Sequence, residues 1–176
     1  MKNLKSNIVC FLNLVMAVLI YVFMSQSYLH IGTDTGSFID RASTDITGYQ
    51  MLGDANYFEG NSTQVMIAVS NLLVLIFVSL LVLISLYTML CNFGVIKKST
   101  KLANFINIAL GLLTFVFALI AMFSIVSLVN DNEISSNLSS VGWASIVNFV
   151  VSIVLVVTTI LAYFFSKQTK SKKRRK

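Results

Sequence analysis

Four stretches of this chain hold no charged residue: Ile8–Met24, Val65–Leu90, Leu102–Val129 and Val141–Phe165. Each is close to, or longer than, the ~20 residues a helix needs to cross a hydrocarbon core. In lipid a backbone must satisfy its own N–H and C=O groups, so each stretch is expected to be helical. The predicted fold class is an all-α membrane protein, a bundle of four transmembrane helices spanning about residues 8–24, 65–90, 102–129 and 141–165. Only 11% of the residues are charged, against about 25% in soluble domains. There is no proline to break a helix.

Charge is sorted between the segments that join the helices. The N-terminus, the segment 91–101 and the C-terminal segment carry every base except Arg41, and they carry no acid. The segments 25–64 and 130–140 carry all the acids: Asp34, Asp40, Asp45, Asp54, Glu59, Asp131 and Glu133. Lys and Arg bias the cytoplasmic side. The expected arrangement is a multi-pass protein of the cell membrane with both termini cytoplasmic. Its transmembrane domain covers residues 1–166, with outer loops at 25–64 and 130–140, and a basic cytoplasmic tail covers 167–176. A competing reading takes Lys2, Lys5, the first apolar stretch and Ser25-Gln26-Ser27 as a cleaved signal peptide. That stretch runs beyond the usual ~7–15 apolar residues of such a region.

Lipid tails compete equally for leucine, so helices in a membrane meet through small and polar faces. Steps of three and four return to one face. They link Cys10, Asn13 and Ala17 in the first helix, and Ala68, Asn71, Leu75, Ser79 and Val82 in the second. Ala103, Asn107, Gly111, Thr114, Ala118 and Ala121 form the face of the third; Ser145, Asn148, Ser152, Thr159, Ala162 and Ser166, with Leu155 filling the gap, form that of the fourth. The residues expected to carry helix packing are Asn13, Asn71, Asn107, Gly111, Ala118, Asn148 and Ser152. At about 1.5 Å per residue, Asn13 and Asn107 lie equally deep from the inner boundary, and Asn71 and Asn148 nearly so from the outer one. An unpaired amide in hydrocarbon is costly. The expected pairs are therefore Asn13 with Asn107 and Asn71 with Asn148.

The first outer loop is rich in glycine and aromatics, and its short runs Gly48–Leu52 and Asn56–Glu59 do not read as strands. Asp34, Asp40 and Asp45, or Asn130–Glu133, offer oxygen ligands of the kind calcium takes, but the D-x-[DN]-x-[DN]-G spacing is absent. His30 is the only histidine, and it reads as an ordinary loop residue. Asn61 and Asn137 match the glycosylation acceptor pattern. Cys10 and Cys91 fall at inner helix ends, where thiols stay reduced. No metal site, cofactor site or catalytic constellation is expected. No acid or base lies at membrane depth, as an ion-coupled transporter would normally require.

The tail Lys167, Lys170, Lys172, Lys173, Arg174, Arg175 and Lys176 begins at the membrane surface. It is expected to be disordered, to bind anionic headgroups and not to bind nucleic acid, because no aromatic is interleaved for base stacking. The layout of a long outer loop, a short inner turn, a short outer loop and a cytoplasmic tail resembles tetraspan proteins of the claudin-like type. The composition is similar to that of small four-helix membrane proteins of AT-rich bacteria. The claudin first-loop signature, a tryptophan followed by Gly-Leu-Trp and two cysteines, is missing: Trp143 is the only tryptophan and starts the fourth helix. No claudin residue role carries over.

The expected function is non-enzymatic: a membrane scaffold or accessory subunit that contacts another membrane protein or a second copy of itself. One alternative is a small channel, transporter component or holin-like pore former. A second is an immunity-type membrane protein. The charge sorting leads to a direct expectation: Thr47→Cys and Ser171→Cys label with an impermeant thiol reagent from opposite sides of the membrane. Labelling of both from one side would contradict the topology.

Overall fold

The computed structural model describes residues 4–34, 41–54, 60, 62–96, 99–130 and 140–174, with side chains of 31–34, 41–44 and 167–174 excepted. Its elements in chain order are α1 (Leu4–Met24), β1 (Ser27–Asp34), β2 (Arg41–Thr47), α2 (Gly48–Gly53), α3 (Ser62–Phe93), α4 (Lys101–Asn130), β3 (Ser140–Val141) and α5 (Trp143–Arg174). Four helices are long and apolar enough to cross a membrane: α1, α3, α4 and the Trp143–Ser166 part of α5. Neighbours around the bundle run α1, α3, α4, α5 and back to α1.

Named contacts set the directions. Ser6 meets Asn92 and Tyr21 meets Ser79, so α1 and α3 are antiparallel. Thr100 meets Ser166, while Ile125 and Leu128 share a core with Ala144, so α4 and α5 are antiparallel as well. The start of α1 and the Ala162–Phe165 turn of α5 lie together at one end, where Val9, Cys10 and Ala162 form a small core and Lys5 Nζ stands 6.0 Å from the Phe165 ring centre.

Large apolar side chains point outward. Phe11, Leu83, Phe105 and Phe123 are all more than half exposed, and the interior is built from Ala, Ser, Thr and Asn with fewer large residues. An apolar surface that encircles four helices is too extensive for a soluble monomer, and in a bilayer it meets lipid. The buried face of α3 differs from the expected one. It runs through Ala68, Asn71, Val74, Val78, Leu81, Ser85 and Thr88, which leaves Ser79 exposed to the bundle exterior. Ser79 Oγ bonds the Leu75 carbonyl at 2.7 Å and receives the Tyr21 hydroxyl at 2.5 Å. Its polar atom is satisfied at the helix edge, so it has no need of the core.

The polar segments fold more than expected. β1 pairs antiparallel with β2, and β3 pairs with Leu29 and His30 on the other side of β1, giving the order β2-β1-β3. Both outer loops thus enter one sheet. Gly48–Leu52 lies in the short helix α2, which Thr47 starts with a capping box: Thr47 Oγ1 accepts from Gln50 N at 3.1 Å, and Gln50 Oε1 accepts from Thr47 N at 2.8 Å. These two bonds are side-chain chemistry that alternation and run length do not reveal. His30 Nδ1 lies 2.8 Å from Asp45 Oδ1 across the strands. Hydrogen bonds from His30 and then Ser27 hold the Asp45 carboxyl below its ordinary 3.8.

At the other end, α3 closes on Gly94 in the left-handed region (φ 85). Gly94 N donates to Cys91 O and Val95 N to Leu90 O, which satisfies the last carbonyls of the helix. α5 runs on to Arg174 without a break at residue 166, so the tail expected to be disordered is helical through Arg174. Gln, Lys and Arg are good helix formers, and bases near a helix C-terminus suit its dipole.

Gly142 is where the sheet meets the bundle. Its N–H donates to Tyr28 O at 2.8 Å, and a Cβ there would press into the backbone of Ser27 and Tyr28. Gly142→Ala is therefore expected to push β3 off β1, at about 1–3 kcal/mol for such overpacking. Faster hydrogen exchange at Leu29 and His30, with the amides of α3 unchanged, is the measurement that checks it.

Candidate functional site: two buried polar layers

The bundle interior holds buried amides at two depths, separated by a largely apolar belt of Ala17, Ile20, Val74, Val78, Leu81, Ala118, Val151 and Leu155, in which the buried hydroxyls of Thr114 and Ser152 bond their own helices. The outer layer, the one nearer the sheet, is bonded to the cap formed by β1, β2, β3 and α2. Tyr28, 2% exposed, accepts a hydrogen bond from Asn148 Nδ2 and donates its own proton to Met24 Sδ at 3.0 Å. Burial pushes the Tyr28 phenol well above its usual range, against the opposing pull of Asn148. Asn71 Nδ2 donates to Met51 Sδ of α2 at 3.8 Å. Met24, Met51, Tyr28 and Leu29 share one core with Ile67, Ala68, Ile125, Leu128 and Ala144. The cap is rooted in the bundle by side chains from every helix.

This corrects one expected pair. Asn71 and Asn148 do not bond each other; each reaches a cap residue instead. The hydroxyl of Tyr28 enters the bundle from β1 and takes the place the second amide was expected to fill.

The inner layer, the one farther from the sheet, differs in degree: in the outer layer Asn148 Oδ1 lacks a protein partner, and here whole amides do. Asn13 and Asn107 are almost wholly buried, yet neither amide has a hydrogen-bond partner within the protein, at nitrogen or at oxygen. The second expected pair is therefore also not formed. Asn104 and Ser85 Oγ share this condition. Counting from the bonded pairs puts Asn13, Ser85 and Asn107 at one level, with Asn104 about one turn nearer the end where α1 begins. Asn13 lies as far along α1 from Ser6 as Ser85 lies back along α3 from Asn92. Asn107 lies as far from Thr100 as Thr159 lies back from Ser166. Thr159 bonds its own helix at Val156 O, 2.7 Å away. A Cβ on Gly111 would stand 3.1 Å from Thr159 Oγ1, which shows how tightly α4 and α5 approach here.

A buried polar group with no partner costs about 1–3 kcal/mol. Left dry, these side chains together would cost an amount on the order of the 5–15 kcal/mol that separates folded from unfolded domains.

Asn13, Asn71, Asn107, Gly111, Ala118, Asn148 and Ser152 are all buried in the bundle. Ser152 Oγ bonds Phe149 O at 2.6 Å rather than a neighbouring helix. Sequence reasoning missed Asn104, Ser85 and Tyr28. Asn104 and Ser85 sit three residues from Asn107 and Thr88, a helical step that was available as a signal. Tyr28 gave none, because it enters from a strand. The side chains of Lys167, Lys170, Lys172, Lys173, Arg174, Arg175 and Lys176 lie outside the described residues. So do Asp40, Asn61, Asp131, Glu133 and Asn137, the candidate cation ligands and glycosylation acceptors. Among the described residues no group of His, Cys, Asp and Glu gathers as a metal site, and Cys10 and Cys91 are free thiols.

Comparison with protein-family models, with curated proteins and with solved structures finds no match to this chain.

The Tyr28 hydroxyl is the join between cap and bundle. Tyr28→Phe strands Asn148 Nδ2 and is expected to cost about 1–3 kcal/mol. Asn71→Leu, which loses only a long bond to sulfur, is expected to cost less. Thermal unfolding of both variants in the same detergent checks the order.

Proposed function

We propose that the protein is a non-enzymatic scaffold or accessory subunit of the cell membrane, with both ends cytoplasmic and the sheet-and-helix cap outside. The observation that carries this reading is the cap itself. Strands from both of its segments share one sheet anchored by Tyr28, Met24 and Met51, and that described part of the cap offers a folded surface for docking. Among the described residues no Asp, Glu, Lys, Arg or His is buried, which supports a structural role over ion-coupled transport. The sorting of bases and acids supports the assignment of sides. The partner is another membrane protein that meets the cap and an outer helix face. The basic end of α5 binds anionic headgroups, worth about 1 kcal/mol per cation near the surface and weakened by salt. No nucleic acid and no cofactor enter this reading.

A second reading, a component of a channel or transporter, is favoured by one observation: the inner layer of amides without protein partners.

Photo-cross-linking in native membranes separates the two. A photoreactive residue at Tyr49, which is exposed on α2, is expected to capture one specific membrane protein, whereas the same group at the lipid-facing Phe105 captures none. Absence of any cap cross-link, together with oligomer-dependent conductance of the purified protein in bilayers, overturns the scaffold reading and supports the second.

A further inference from the structure

The inner polar layer has a composition that restricts what it can hold. Asn13, Asn104 and Asn107 each present a free amide donor and a free carbonyl acceptor, and Ser85 Oγ can do either. Donors and acceptors are balanced, which does not suit an ion of either sign. A cation would face the amide nitrogens and an anion the carbonyl oxygens. No charged side chain is buried nearby among the described residues, and a bare charge at this depth is expensive without one. Lys5 and Lys101, exposed at the same end of the bundle, add a field that opposes a cation further. What remains is a small neutral molecule that donates and accepts equally.

The surroundings define a direction. Toward the cap the layer is closed by the belt of Ala17, Val78, Leu81 and Leu155, where the two buried hydroxyls, Thr114 and Ser152, are taken up by their own helix carbonyls. Toward the end where α1 begins, the interior stays polar. Asn104 forms this edge of the layer, level with Thr88, and beyond it come two hydrogen-bonded pairs, Ser6 with Asn92 at 3.1 Å and Thr100 with Ser166 at 3.3 Å, each bridging two helices. These bridges are neutral and can exchange partners with water one at a time.

We infer that the layer formed by Asn13, Ser85, Asn104 and Asn107 is a water-binding chamber inside the bundle, reached from the end where α1 begins and closed toward the cap by the apolar belt. An internal water typically makes about three hydrogen bonds to otherwise unsatisfied groups, so a few molecules complete every free donor and acceptor in the layer. The same waters bridge α1, α3 and α4, replacing the direct amide pair. This inference holds under either reading of the function: the chamber is a hydrated packing joint in a scaffold and a half-length aqueous vestibule in a channel component.

The test uses the full chain in lipid bilayers and water as the probe. Magnetisation transfer from the water resonance to side-chain amides is measured by solid-state NMR. It is expected to reach Asn13, Asn104 and Asn107 severalfold more strongly than Asn71, whose nitrogen donates to Met51. Direction is read on the native Cys10 thiol, wholly buried and one turn from Asn13 toward the α1 start, with Cys91→Ser removing the other thiol band. Its S–H stretch is expected to move to the S–D position on transfer into D2O. No water transfer to any of the three amides, with direct Asn13–Asn107 cross-peaks in its place, overturns the chamber. A Cys10 S–H band that persists in D2O overturns its opening at that end.

Discussion

A bilayer gives leucine nothing for turning inward, and the rest of this structure depends on that. The side chains that gain by leaving lipid are the small ones, which let backbones approach, and the polar ones, which find partners. The bundle is accordingly inverted relative to a soluble one. Phenylalanines stand on the outside, while Ala17, Ala68, Gly111, Thr114, Ala118, Ser152 and Ala162 line the contacts. Close approach of α4 to α5 at Gly111 and Thr159 is one local result. The apolar belt at mid-depth is the exception, and it is the section where α3 turns its valines in and leaves Ser79 at the edge.

The amides on this inward face meet different ends because the two halves of the bundle have different neighbours. In the half next to the cap the chain leaves the bundle, folds and returns side chains to the interior. Tyr28 and Met51 come back as partners for Asn148 and Asn71. In the other half the connection between α3 and α4 is short, and among the described residues it sends no partner back, so Asn13, Asn104 and Asn107 have only one another and the hydroxyls around them. A polar group in that position is bonded to protein, bonded to water or destabilising.

The described part of the cap is held by backbone pairing across sequence-distant segments. β3 contributes only Ser140 and Val141, yet it ties the second outer loop to the first and places Gly142 against Tyr28. That places the start of α5 and the anchor residue Tyr28 in register, so the sheet and the outer polar layer support each other. Trp143, edge-on to Phe23 with centroids 5.8 Å apart, closes the same junction from the lipid side.

The number and approximate limits of the four membrane helices were legible in the sequence, because charge-free stretches of that length have no other stable state in lipid. The inward orientation of Asn13, Asn71, Asn107 and Asn148 was legible as well, since steps of three and four define a face without reference to any partner. Which atoms those amides meet was not. Depth alone made Asn71 and Asn148 a pair, but depth carries no information about a tyrosine that returns from a strand. The sheet was illegible for a related reason: β1, β2 and β3 have weak local patterns, and their pairing joins residues as far apart as Leu29 and Val141. Ser79 went to the helix edge because a bond to its own backbone and one to Tyr21 cost less than a place in the core. Local covalent pattern and the demands of lipid determined the helices and their faces, and buried hydroxyls such as Thr114 and Thr159 found carbonyls of their own helix; whether a buried amide meets a protein partner was decided only when distant segments were brought together in three dimensions.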